Sequence, residues 1–154
     1  MAVGLVGPRM RVTWDGQPIA EDPPTGAVIA VFRRRGERVE WLVLHRAQRG
    51  PDYDGEWAWG APSGCRLPGE PVEACARREL LEETGLDLAP APVLHDEHWP
   101  VFAVQAPPVA VIRLSAEHDA HRWVELATAV DLVKPYFVAE QVRRVAELLG
   151  RSAG

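Results

Sequence analysis

Cys65 and Cys75 are the only cysteines in the 154-residue chain. Two thiols cannot build the multi-bridge framework that small secreted domains use in place of a large core, so reduced thiols in a cytoplasmic protein are expected. Long hydrophobic runs are missing: no stretch approaches the ~20 apolar residues that span a bilayer. No N-terminal segment joins a basic start, an apolar run and a small-residue cleavage site. Neither a membrane partner nor a secretory leader is therefore expected. Basic charge is in deficit, with 17 Lys and Arg against 22 Asp and Glu and a net charge of −5. That balance argues against non-specific binding to nucleic acid or to an anionic membrane surface. It is compatible with an anionic small molecule, because a bound cation or a few local basic side chains reverse the local field. Internal repeats and low-complexity tracts are absent.

The composition that remains is that of an ordinary globular chain, 47% hydrophobic and 25% charged, long enough to bury a core unaided. Residues 1–24 read as a peripheral extension. Asp15-Gly16 between short apolar pieces signals a hairpin, a segment that could serve a homodimer interface. Met1 and Met10 are alternative starts. A single domain is expected over 25–150, with a frayed tail over 151–154. Within it, "GAVIAVF" (26–32) and "VEWLVLHRA" (39–47) read as strands around a charged turn at Gly36. "EWAWGAP" places Trp57 and Trp59 on one face. Pro71 suits a first helical turn and Gly85 a C-terminal cap, with Val72, Ala76 and Leu80 as the apolar stripe between them. Strands are expected near 93–97, 100–105, 109–114 and 121–126, then a short helix and an amphipathic one over 136–149. The pattern is α+β: a mixed sheet sandwiched between helices, α/β/α in layers.

The helix carries an oddity. Glu79, Glu82 and Glu83, three and four residues apart, share one helical face, where like charges repel by a few tenths of a kcal/mol per pair. Upstream stand Gly64 and, after five residues, Glu70. Seven more lead to Arg78-Glu79-Leu80, then Glu82-Glu83 and Gly85-Leu86. A glycine-rich loop beside several carboxylates is a set of hard oxygen donors, suited to Mg²⁺ or Mn²⁺ rather than zinc. Repulsion in the empty site becomes affinity for a cation.

The stretch from Gly64 to Leu86 resembles the box of the Nudix hydrolase family at every defining position. The resemblance implies a mixed sheet between helices and a Mg²⁺-dependent hydrolase, Mn²⁺ also serving, which splits a pyrophosphate bond in a nucleoside diphosphate linked to another group. It implies Glu79, Glu82 and Glu83 as metal ligands, with the Gly64 carbonyl, and Arg78 as the clamp that holds the glutamates. Glu70 would support the loop or reach a metal through water. Glu79 and Glu117 are the candidates for general base, Glu117 from an "EHDAHRW" segment similar to one that many members carry. Ser63 departs from the family, which often has glycine there.

Arg46 is a candidate phosphate ligand through its forked donors, and Arg49 a weaker one. Tyr53, Trp57, Trp59 and Trp99 are candidates to stack on a base or pterin ring. The histidines form no recognised ligand pattern, and no thiol is expected to be a nucleophile. The substrate expected is a nucleoside triphosphate or dihydroneopterin triphosphate, with diadenosine polyphosphates and nucleotide sugars as alternatives. A non-catalytic nucleotide-sensing module is the rival from another class.

Overall fold

The computed structural model describes residues 11–13 and 15–152. Its elements are β1 (Gly26–Arg35), β2 (Arg38–Arg46), β3 (Trp59–Gly60), β4 (Ser63–Cys65), α1 (Val72–Thr84), β5 (Ala91–Leu94), β6 (Val101–Gln105), β7 (His118–Val124), α2 (Leu126–Leu132) and α3 (Tyr136–Ser152). The strands form one seven-stranded sheet in the order β3-β2-β1-β6-β5, with β4 added to β1 and β7 to β2. β1 runs parallel to β6 and antiparallel to β2 and β4, so the sheet is mixed.

Alternation along the central strands divides the core. Ala27, Ile29 and Val31 of β1 and Leu42 and Leu44 of β2 face α1, where they meet Cys75, Ala76 and Leu80. Ala30, Phe32, Trp41 and Val43 face the other way and pack on Ala129, Ala139, Val142 and Val145 of α2 and α3. A strand buried on both faces reads as a continuous apolar run, which is how "GAVIAVF" reads. The result is the expected α/β/α sandwich.

α1 begins after Pro71, which is extended and caps the helix without a side-chain bond. It ends at Gly85, whose φ of 77° is left-handed and whose N–H donates to the Leu81 carbonyl. The Thr84 hydroxyl donates to the Leu80 carbonyl and accepts from the Leu86 N–H, tying off the same turn.

Several expectations need correction. Arg33, Arg34 and Arg35 belong to β1 and pair with Glu40, Val39 and Arg38, so the turn is confined to Gly36 and Glu37. Residues 109–114 form no strand: Val109 and Val111 are exposed, and the segment is held through the Arg113 N–H on the Thr84 carbonyl and Ile112 against the α1-side core. Only Trp59 and Gly60 of "EWAWGAP" join the sheet, because Trp57 adopts a left-handed φ of 67° that breaks the run. α3 continues past 149 to Ser152. In the extension, Val12 and Pro18 form an isolated antiparallel bridge around Asp15-Gly16. Met1, Met10, Ala153 and Gly154 lie outside the described residues.

His45 of β2 ties three segments together. Its Nδ1 lies 2.6 Å from Asp119 Oδ1 and its Nε2 2.7 Å from the Tyr53 carbonyl oxygen. Burial works against the charged ring, but the Tyr53 carbonyl and the Asp119 carboxylate outweigh it, and the pKa is raised. A pKa raised on folding adds stability that is complete below the unfolded value and is lost as pH rises through the folded one. The melting-temperature deficit of His45→Gln is therefore expected to be larger at pH 5.5 than at pH 8.5. A deficit independent of pH in calorimetry would contradict the charged pair.

Candidate active site

A cleft of about 1070 Å³ opens between β4, the C-terminal half of α1 and the loop Ser115, Ala116 and Glu117 that leads into β7. Glu79, Glu82, Glu83 and Glu117 line it, with Arg46 and Trp99. Thr13, Asp15 and Gln17 of the N-terminal turn form part of its wall. Trp99 is seated by Gly26: a Cβ there would fall 2.5 Å from the indole ring and 2.2 Å from the Gly64 carbonyl oxygen.

The helical spacing brings the box carboxylates to one place, and Arg78 organises them. Its Nε and Nη2 donate to the two oxygens of Glu70 at 2.8 and 2.9 Å. Nη1 donates to Glu79 at 2.9 Å and to Glu82 at 3.3 Å. Nη2 also reaches the Cys65 carbonyl at 3.1 Å, fastening the loop. Only a planar fork spans these partners at once. Arg78→Lys is expected to lower the unfolding free energy by about 1–3 kcal/mol, the scale of lost charged hydrogen bonds. The same change should cut turnover on the order of tenfold through misplaced glutamates. Urea titration and saturated rates check the two effects.

Gly64 lies in β4 against Ala27 of β1. The Glu79 carboxyl carbon is 2.0 Å from where a Gly64 Cβ would stand, so glycine is required by close approach. Ser63 keeps an unstrained backbone, since among the described non-glycine residues only Trp57 has a positive φ. Its N–H donates to Glu83 Oε2 at 3.0 Å, a bond that any residue but proline can make.

The electrostatics are those of crowded carboxylates out of water. Glu83 is 3% exposed. Burial, then Glu79 and Glu117, push its pKa well above the ordinary value against the opposing Ser63 N–H. Burial also raises Glu79 to about 7, with Arg78 opposing and Glu82 and Glu117 adding to the rise. His118 is held neutral, its pKa brought down to about 4 by burial and then by the Arg46 charge. Its Nδ1 has no hydrogen-bond partner among the described residues. Glu83, Glu117 and His118 each offer one donor atom, all within 4.8 Å of one another. Such an excess of buried negative charge fits a divalent cation, and the oxygen donors are of the kind such ions take.

The model of the NUDIX domain matches residues 22–148. The chain belongs to the Nudix family. A Myxococcus xanthus octanoyltransferase is 35% identical to this Nudix chain over 85% of it, but the match spans only 39% of that protein's length. A mouse asymmetrical bis(5'-nucleosyl)-tetraphosphatase is 29% identical over 69% of the chain and 82% of its own. The crystal structure of a C. elegans Ap4A hydrolase binary complex superposes with a TM-score of 0.66 at 20% identity, covering 81% of this chain and 96% of that one. The E. coli dihydroneopterin triphosphate pyrophosphohydrolase superposes at 0.64 with 18% identity, covering 81% and 96%. At such identities the structures establish the Nudix fold.

The expected site residues divide into two groups. Glu79, Glu82, Glu83, Glu117, Arg78, Gly64 and Arg46 meet at the cleft. Glu70 does not line it: Arg78 and the Leu67 N–H take its oxygens, so it anchors the loop. Tyr53, Trp57 and Trp59 also lie elsewhere. The Tyr53 hydroxyl donates to the Glu56 carbonyl beneath the Arg49 guanidinium. Trp57 packs edge-on to Phe137, and Trp59 edge-on to His45. Among the described residues, Trp99 is the aromatic that lines the cleft. Both thiols are disfavoured as nucleophiles, Cys75 being pushed up to about 12 and Cys65 raised, each chiefly by burial.

Sequence reasoning missed two residues. Arg66 is 5% exposed and donates to the carbonyls of Pro24, Asp22 and Glu70, stitching the chain before β1 to the box loop. His118 stands beside Glu117 in the "EHDAHRW" segment, but the sequence assigned a role to Glu117 alone.

Proposed function

We propose that this chain is a divalent-metal-dependent pyrophosphohydrolase of nucleotide-like substrates. The observation that carries the reading is the set of buried, mutually repelling carboxylates opening into a cleft that Arg46 also lines. Glu82, Glu83 and Glu117 would hold the cation, with Mg²⁺ or Mn²⁺ as the natural choices for oxygen donors. A metal held there would supply charge to neutralise phosphate oxygens and to acidify water. Arg46 binds phosphate oxygens through its forked donors. Arg78, engaged by three glutamates, positions and does not touch substrate. Glu79 accepts the proton of the attacking water at the oxygen that Arg78 does not hold, a role suited to a carboxyl with a pKa near neutrality. The water oxygen forms the new bond to phosphorus, the anhydride P–O bond breaks, and the departing phosphate takes the electron pair.

Among substrate classes we favour dinucleoside polyphosphates. The cleft is large enough for more than one nucleotide, and the mouse tetraphosphatase matches most of the domain. Nucleoside triphosphates and dihydroneopterin triphosphate have the same phosphate chain and are the second reading. Purified protein with Mg²⁺, then Mn²⁺, would be offered these compounds and nucleotide sugars, with product masses as readout. Chelator-sensitive cleavage of diadenosine tetraphosphate ahead of the others is expected. Preference for a triphosphate would move the assignment to the second reading. Ligand binding without turnover of any compound would replace the hydrolase with a sensing module.

A further inference from the structure

His118 is a buried side chain that the reaction above leaves without a task. It opens β7 with its side chain 6% exposed, and its Nδ1 has no hydrogen-bond partner among the described residues. Buried imidazole nitrogens nearly always have one. Nδ1 lies 3.7 Å from Glu83 Oε1, beyond hydrogen-bond range, and His118 offers one ring nitrogen to a group with Glu83 and Glu117 whose donor atoms lie within 4.8 Å of one another.

The backbone is built to bring it there. Along the β2–β7 pairing, Leu44 opposes His121 and His45 opposes Ala120, but Arg46 opposes His118. Asp119 is thus an extra residue, a bulge that inverts the alternation beyond it. Arg46 shares the face of Leu44, the α1 side of the sheet. The bulge turns His118 to that side, where Glu83 stands, while Asp119 pairs with His45.

We propose that His118 is a metal ligand through Nδ1, and that with Glu83 and Glu117 it makes a mixed nitrogen–oxygen site that takes Mn²⁺ or Co²⁺ in preference to Mg²⁺. Neutral imidazole is a ligand for borderline ions, whereas Mg²⁺ demands oxygen. The inference rests on the reading of this site as a metal centre.

The test is electron spin-echo modulation of Mn²⁺ bound to the unaltered protein. Coupling to a ¹⁴N nucleus is expected, shifting to the ¹⁵N pattern when histidine is isotopically labelled. In His118→Asn the coupling should vanish. Mn²⁺ affinity should then fall on the order of tenfold, and Mg²⁺ affinity, measured by competition, should fall less. Mn²⁺ that binds without nitrogen coupling, or coupling that survives in His118→Asn, would overturn the ligand and leave the metal-hydrolase reading standing. No Mn²⁺ binding at all would remove both. The wild-type spectrum decides the matter even if the variant does not fold.

Discussion

Glu83→Gln is expected to cut turnover at saturating Mg²⁺ by at least roughly a hundredfold, the scale of lost metal positioning. In chelator, the same substitution is expected to raise the melting temperature. Both effects have one cause. Glu83 is 3% exposed, and its charge is opposed by burial and by Glu79 and Glu117. It accepts from the Ser63 N–H at 3.0 Å, while the neutral His118 ring stands 3.7 Å away, beyond hydrogen-bond range. Without a cation, the buried charge costs folding energy. Glutamine keeps the shape, can still accept from the Ser63 N–H, and removes the cost. Metal should therefore stabilise the wild type through its preference for the folded state and stabilise the variant much less. Glu79→Gln should behave similarly, because its carboxyl is also raised by burial. Glu82, with a side chain 55% exposed, should cost less, on the order of tenfold. Thermal melts with and without Mg²⁺, paired with saturated rates, test this. A variant that is both inactive and less stable in chelator would mean that Glu83 holds the fold rather than the cation.

Gly64→Ala should lose activity with little loss of fold. The added methyl would stand 2.0 Å from the Glu79 carboxyl carbon and 2.3 Å from each oxygen. Contacts that short force a shift, and the Glu79 side chain gives way more readily than the paired backbone of β4 and β1. Yet Glu79 is held by Arg78 at 2.9 Å, so its displacement also disturbs the clamp on Glu70 and Glu82. A displacement of about 1 Å in a reacting group can cost roughly a hundredfold in rate, and that is the loss expected. Gly64 has no left-handed φ, so alanine brings no backbone strain and the melting temperature should move by only a few degrees. Near wild-type turnover in Gly64→Ala would show that the position of Glu79 does not matter to the chemistry.

The legible parts of this molecule are those governed by local rules. The box residues share one helix, and a helix of known pitch determines where positions three and four apart must lie. Pro71 and Gly85 mark its ends because their backbone preferences do not depend on distant contacts. β1 and β2 were readable because a strand covered on both faces must be apolar throughout. The segment 109–114 has the same composition yet forms no strand, because the apolar pattern does not reveal whether a sheet edge is available to pair it. The aromatic candidates failed in a similar way. Tyr53, Trp57 and Trp59 carry the right chemistry, but loop geometry and a left-handed Trp57 turn them to other partners.

By itself, then, the sequence determined the layered architecture, the single helix of carboxylates and the arginine that binds them, because periodicity and short-range spacing suffice for each. Tertiary structure alone decided what surrounds that helix. The β2–β7 pairing brings Glu117 and His118 to Glu83 from far along the chain, and Arg66 ties the chain before β1 to the box loop. A one-residue bulge at Asp119 turns the His118 ring to the side where Glu83 stands. A bulge is a property of two strands in register, and neither strand's sequence carries that register alone.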